Sequence, residues 1–152
     1  MTKTVKMDPV RQRRLLPCCA CAALLLFPLA LLAEEVVVVD AHDPPVSLSQ
    51  SQVRDVFLGR TTEYPDGTVA VPVDQPDSSP LREAFYLKVT NKSAAQARAL
   101  WAKLYFTGRG VPPRQASSSD DVKKIIHSTQ GAIGYIEKSA LDNSLRVVFV
   151  VP

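Results

Sequence analysis

TVAVPVDQPDSSPLREAF, residues 68–85, is the stretch on which the fold turns. Its first part, TVAVPV (68–73), is rich in β-branched residues and reads as a strand. Pro72 puts that strand at a sheet edge or makes it a strand end, because proline brings no N–H to a ladder. Its last part carries Leu81, Ala84 and Phe85 at helical spacing and reads as a helix over about 80–89. Ser79 stands at the capping position and Pro80 at the first helical position, where the missing N–H has no intrahelical partner in any case. A strand that passes through a short polar link into a helix is a building unit of α/β folds.

The same link has a chemical reading. A helix start leaves backbone N–H groups free, and Ser78 and Ser79 add hydroxyl donors beside them. Arg82, about one turn in, can reach back to a bound anion. Ser78, Ser79 and Arg82 are therefore the candidate ligand-binding residues, for a small oxyanion. Capping without any ligand explains the serines as well.

Working outward, the flanks repeat the alternation. EVVVVD (35–40) is a continuous β-branched run, the mark of a buried strand. SQSQVRDVFLG (49–59) has Ser49 and Gln52 in capping-box spacing, an apolar face of Val53, Val56 and Phe57, and Gly59 to end it. SAAQARALWAKLYFTG (93–108) repeats the box with Ser93 and Gln96 and ends at Gly108, after which GRGVPP reads as a stiff loop. Its Trp101, Tyr105 and Phe106 are expected to pack between helix and sheet. SSSDDVKKIIHS (117–128) gives a further helix, capped by Ser118 or Ser119, with Asp120 and Asp121 in the favourable first turn. GAIGYI (131–136) and LRVVFV (145–150) complete the strands. The expected fold class is α/β, a mixed β-sheet flanked by helices. Gly131 and Gly134 suit close backbone approach as readily as ligand contact. Tyr64 precedes a turn and is expected to be exposed.

Charge is unevenly placed along the 152 residues. Five of the 18 basic side chains fall in the first 14 positions, leaving 13 basic and 14 acidic ones beyond residue 33. The basic balance thus belongs to the leader and argues against nucleic-acid binding. LLPCCACAALLLFPLALLA (15–33) follows QRR and is uncharged, so residues 1–33 read as a signal peptide or an uncleaved N-terminal membrane anchor, and 34–152 as the domain. Arg13–Arg14 is read as ordinary n-region charge. The expected location is periplasmic or otherwise exported, or at the inner membrane with the domain outside the cytoplasm. All three cysteines lie in the leader, so the domain is held by its core and has neither thiol chemistry nor cysteine ligands.

His42 and His127 stand far apart without ligand-like spacing, so no metal is expected, nor any other cofactor. No G-x-S-x-G elbow or Walker pattern occurs, and TGRGVPP lacks the Lys and Ser/Thr that hold phosphate and magnesium. The chain does not read as an enzyme.

Four segments carry a resemblance: LSQSQVRDVFLGR (48–60), YPDGTVAVPVDQPDSSPLREAF (64–85), LWAKLYFTGRGVPP (100–113) and TQGAIGYI (129–136). They resemble, in order and interval, the phosphate-binding components of bacterial ABC transporters and their short substrate-binding-like relatives. The resemblance covers about residues 36–150. It implies a single periplasmic-binding-protein-like lobe of type 2, without the second lobe that encloses ligand in full receptors. It also implies an oxyanion site at the helix start, in a non-enzymatic protein linked to transport. Phosphate receptors run Arg-x-Asp-x-Ser-Gly-Thr there. Aligned on the serine, this chain has Asp74, Pro76, Ser78, Ser79 and Pro80, so only Ser78 is carried over, and weak or degenerate binding is implied. Two uses follow: binding of a phosphate-like anion, with a homodimer supplying the missing wall by symmetry, or a non-catalytic envelope module whose ligand edge meets a protein partner.

Overall fold

The computed structural model describes residues 34–152 apart from Pro45; the expected leader, 1–33, lies outside the described residues. Five strands form one sheet: β1 (Glu35–Asp40), β2 (Val71–Asp74), β3 (Arg114–Gln115), β4 (Ala132–Glu137) and β5 (Leu145–Val150), in the order β3-β2-β4-β1-β5. β1 runs antiparallel to both β4 and β5, whereas β2 is parallel to β3 and β4. The mixed α/β sheet anticipated from the sequence is thus the one observed.

The continuous valine run of β1 is explained by burial on both faces. Val37 and Val39 join Ile133 and Tyr135 in a core against Val53, Phe57, Phe85 and Ala97. Those residues come from α1 (Gln50–Phe57), α2 (Pro80–Phe85) and α3 (Ala94–Phe106). Val36 and Val38, pointing the other way, join Val73 and Ile136 against Val122, Ile125 and Ile126 of α4 (Ser119–Ser128). Phe85 stacks on Tyr135 with ring centroids 3.8 Å apart, and Phe57 meets both rings edge-on. This aromatic cluster anchors α1 and α2 to the sheet centre.

Both capping boxes form: Ser49 with Gln52 and Ser93 with Gln96, each side chain bonded to the other's backbone N–H. Gly59 and Gly108 both lie at φ +66°, in the left-handed region used to end helices. α4 is capped by Ser118, whose hydroxyl accepts from the Asp121 N–H. Its neighbour Ser119 instead donates to Glu137 Oε2 at 2.6 Å.

Several expectations are corrected. The strand read over 68–73 begins at Val71 and is an inner strand, because the unforeseen β3 pairs beyond it. Pro72 fits there because β3 begins its pairing one residue later, at Val73, and the Val71 N–H is turned to Gly131 O of the opposite neighbour. By strand alternation the Pro72 nitrogen faces the β3 side, one residue before β3 begins to pair, so no ladder bond is lost. The helix read over 80–89 is α2 continued by one π-turn, Tyr86–Thr90, closed by Asn91 at φ +55°. Trp101 packs as expected and donates to Phe57 O at 3.0 Å, but Tyr105 and Phe106 are exposed. They lie at the end of α3, past the residues it buries (Ala94, Ala97, Trp101). Tyr64 is buried, with its hydroxyl donating to Gly131 O at 3.0 Å. Gly131 (φ +73°) and Gly134 serve close packing: an added Cβ would stand 2.1 Å from Val69 O and 2.5 Å from Val122 Cγ1, respectively.

Candidate functional site

The site is built at the carboxyl end of β2, where ligands of open α/β sheets are usually held. β2 delivers Asp74 to the sheet's end with 4% of its surface exposed. Its carboxylate accepts four hydrogen bonds: Oδ1 from the Gln75 N–H and the Tyr135 hydroxyl, Oδ2 from Arg82 Nε at 2.9 Å and the Tyr86 hydroxyl at 3.0 Å. A buried carboxylate is tolerated on such terms, with its lone pairs filled and a cation beside it. Burial, then the charge on Asp74, pushes the Tyr135 and Tyr86 hydroxyls far above the usual tyrosine range, so both remain donors. For Arg82, burial works against the charge, but Asp74 outweighs it and the guanidinium pKa is raised.

Arg82 itself is 5% exposed and lies over the Tyr86 ring, with its guanidinium carbon 5.2 Å from the centroid. Its Nη1 is 3.2 Å from Asp77 Oδ1, an ion pair without hydrogen-bond alignment, so this buried nitrogen has no hydrogen-bond partner. The other oxygen of Asp77 pairs with Arg98 Nη2 at 3.0 Å. Asp77 and Arg98 are both more than half exposed. Asp74, Asp77, Arg82, Arg98, Trp101 and Gln115 border a cleft of about 270 Å³.

Of the three residues singled out by sequence, only Arg82 borders this cleft. Ser78 is exposed in the turn before α2, and Ser79 is half-buried at the N-cap position. The Ser79 hydroxyl makes no capping bond; its carbonyl accepts from the Arg82 N–H at 3.1 Å instead. Sequence reasoning missed Asp77 and Arg98. Asp77 lies one residue before the quoted serines, but Arg98 comes from α3 and is brought in by tertiary packing, with no local signal.

A second polar array ties the far end of the sheet. His127 Nδ1 is 2.6 Å from Asp40 Oδ2, and Nε2 is 2.9 Å from Ser144 Oγ. His42 Nδ1 shares the same Asp40 at 2.8 Å. The order carboxylate–imidazole–hydroxyl is that of a nucleophilic relay. Here the Ser144 hydroxyl and N–H both donate to Asp142 Oδ1, so the hydroxyl proton is directed at a carboxylate and not at the imidazole. The array reads as a clasp joining α4 to the β1 and β5 ends. His127 is half of this clasp. Among the described residues, no group of three or more His, Cys, Asp or Glu side chains could hold a metal ion.

The fold is a mixed α/β sheet with helices on both faces and a cleft at the end of β2. Solved structures give the particular likenesses. The chain is similar to a phosphate ABC transporter substrate-binding protein of Clostridium perfringens, solved with bound phosphate, at TM-score 0.62 and 24% identity. That match covers 76% of this chain and 44% of the other. An ABC-type phosphate transport receptor of Vibrio cholerae matches at TM-score 0.60 and 17% identity, over 76% and 45% of the two chains. PstS of Borrelia burgdorferi follows at TM-score 0.53 and 14% identity, over 76% and 46%. The chain thus spans less than half the length of the solved proteins it matches, and the likeness is one of fold. No family model matches the sequence, and no curated protein matches it.

Proposed function

We propose that this protein is a non-catalytic, solute-binding-type lobe that holds a small, phosphate-like oxyanion outside the cytoplasm. The observation that carries the reading is Arg82, a buried guanidinium beside an open cleft, one nitrogen of which lacks a hydrogen-bond partner. A guanidinium presents paired N–H groups matched to oxyanion geometry, and Arg98 adds a second cation on the same cleft. Ser78 and Ser79, at the start of α2 but not on the cleft wall, are the further hydroxyl ligands proposed from the sequence. The phosphate-binding proteins of the same fold support the choice of ligand. Export is supported by the leader read in the sequence; among the described residues no helix is long and apolar enough to cross a membrane. The negative charges of Asp74 and Asp77, of the same sign as the ligand, make the expected affinity weak.

Isothermal calorimetry of the purified protein against orthophosphate tests this. Heat of binding is expected, reduced by Ser78→Ala and by Arg82→Lys. The absence of heat across phosphate, sulfate and arsenate at millimolar concentration would overturn the reading.

One observation favours a second reading, an envelope interaction module. Tyr105 and Phe106 pack edge-on to each other at 6.0 Å yet stand 60% and 87% exposed. Association through them would be seen as a concentration-dependent mass in sedimentation that Phe106→Ser abolishes.

A further inference from the structure

Asp77 has the position of a ligand. Its two oxygens are divided between two arginines from different elements, Oδ1 toward Arg82 Nη1 at 3.2 Å and Oδ2 toward Arg98 Nη2 at 3.0 Å. A bound oxyanion would divide its oxygens in the same way. The two arginines differ in exposure. Arg82 is held by Asp74 and has 6% of its side chain exposed, whereas the Arg98 side chain is 59% exposed. Asp77 sits in the turn between β2 and α2 with 51% of its side chain exposed, so it can swing to solvent without disturbing the core. The contact it makes to Arg82 is also poorly aligned, leaving Nη1 without a hydrogen bond.

We infer that Asp77 is a built-in competitor: the Arg82–Arg98 pair is an anion clamp that takes a two-oxygen oxyanion only when the Asp77 carboxylate leaves it. This rests on the oxyanion reading above and adds to it how the site is regulated. An internal carboxylate that occupies the clamp most of the time lowers apparent affinity by the fraction of molecules in which the clamp is open. It also sets a threshold, since only an anion more highly charged or more abundant than a tethered carboxylate displaces it. Dianionic orthophosphate is therefore favoured over monocarboxylates such as acetate.

Calorimetric titration of the full purified protein with orthophosphate, with acetate as the comparison, tests the inference in four proteins: wild type, Asp77→Asn, Arg98→Ala and the double variant. Both positions are more than half exposed, so thermal melts of all four are expected to coincide. Asp77→Asn is expected to bind phosphate at least tenfold more tightly than wild type, and the gain is expected to vanish in the double variant. If wild type binds and Asp77→Asn binds no better, the competitor role is wrong while the oxyanion reading stands. If only Asp77→Asn binds, the clamp stands and the reading of the native protein as a binder falls. If neither binds, both fall.

Discussion

Asp74 Oδ2 accepts from Arg82 Nε at 2.9 Å, with only 6% of either side chain exposed. The cation comes from α2 and the anion from β2. The buried pair joins a strand end to the helix that follows it. Removing one partner of such a pair leaves an uncompensated charge, which costs about 3–5 kcal/mol. Asp74→Ala is expected to lose that much in urea unfolding, and Arg82→Ala a similar amount. The double variant should fall well short of the sum of the two, because the partner charge is gone. A double loss equal to the sum would show that the two do not act as a pair.

The serines make a graded test of capping. Ser49→Ala and Ser93→Ala each break a complete capping box and should cost about 1 kcal/mol. Ser79→Ala removes no capping bond and should shift the unfolding midpoint little. A Ser79→Ala loss as large as the other two would contradict the hydroxyl's assigned role.

Asp40 sets the acid limb of the stability profile. The His42 backbone N–H, assisted by the His127 side chain, lowers its pKa from 3.8 to about 2. The folded value lies below the unfolded one, so the contribution is complete above pH 3.8 and is lost as pH falls toward 2. Discounted for solvent screening, it is about 1 kcal/mol. Asp40→Asn should flatten the acid limb measured by denaturation between those values. Some slope should persist, because Asp142 is also lowered to about 2 by its bonds to Ser144.

Glu35 works in the opposite sense. It is 2% exposed, its Oε2 has no hydrogen-bond partner, and Lys88 Nζ lies 3.4 Å from Oε1. Burial raises its pKa above the ordinary 4.5, partly offset by Lys88. A raised carboxyl favours the fold at low pH and loses that contribution as pH rises through the folded value. Glu35→Gln is expected to be more stable than wild type at pH 7 and to lose that advantage at pH 4. A loss at pH 7 would mean the Lys88 pairing outweighs burial.

Gly131 ranks as the least replaceable glycine. Alanine there combines a positive φ with a Cβ 2.1 Å from Val69 O, whereas at Gly67 (φ +85°) nothing lies within 4 Å. Gly67→Ala should cost about 1 kcal/mol for the backbone alone. Gly131→Ala should cost several times more in the same unfolding assay.

The outline of the fold was legible because its signals are local. The EVVVVD run, the two capping boxes and the glycine stops each declare an element within a few residues. β3 escaped because Arg114–Gln115 is a two-residue exposed strand that exists only through its pairing with Val73 and Asp74. Tyr105 and Phe106 misled because helical spacing gives a face but not where along the helix the sheet stops. The site was half legible. Arg82 follows from the strand–turn–helix, but its burial by Asp74 and its pairing with Asp77 opposite Arg98 depend on which helix packs across the strand end.

The strand order carries a last consequence. β1, the first strand in the chain, lies between β4 and β5, the last two. Its two ladders cannot form until the C-terminal residues have been synthesised, so no N-terminal portion of this domain can settle early. Both β1 ladders close loops of nearly the whole domain, which slows folding and keeps the nascent chain open until translation is finished. A polypeptide built this way remains threadable through a narrow channel for as long as it is being made.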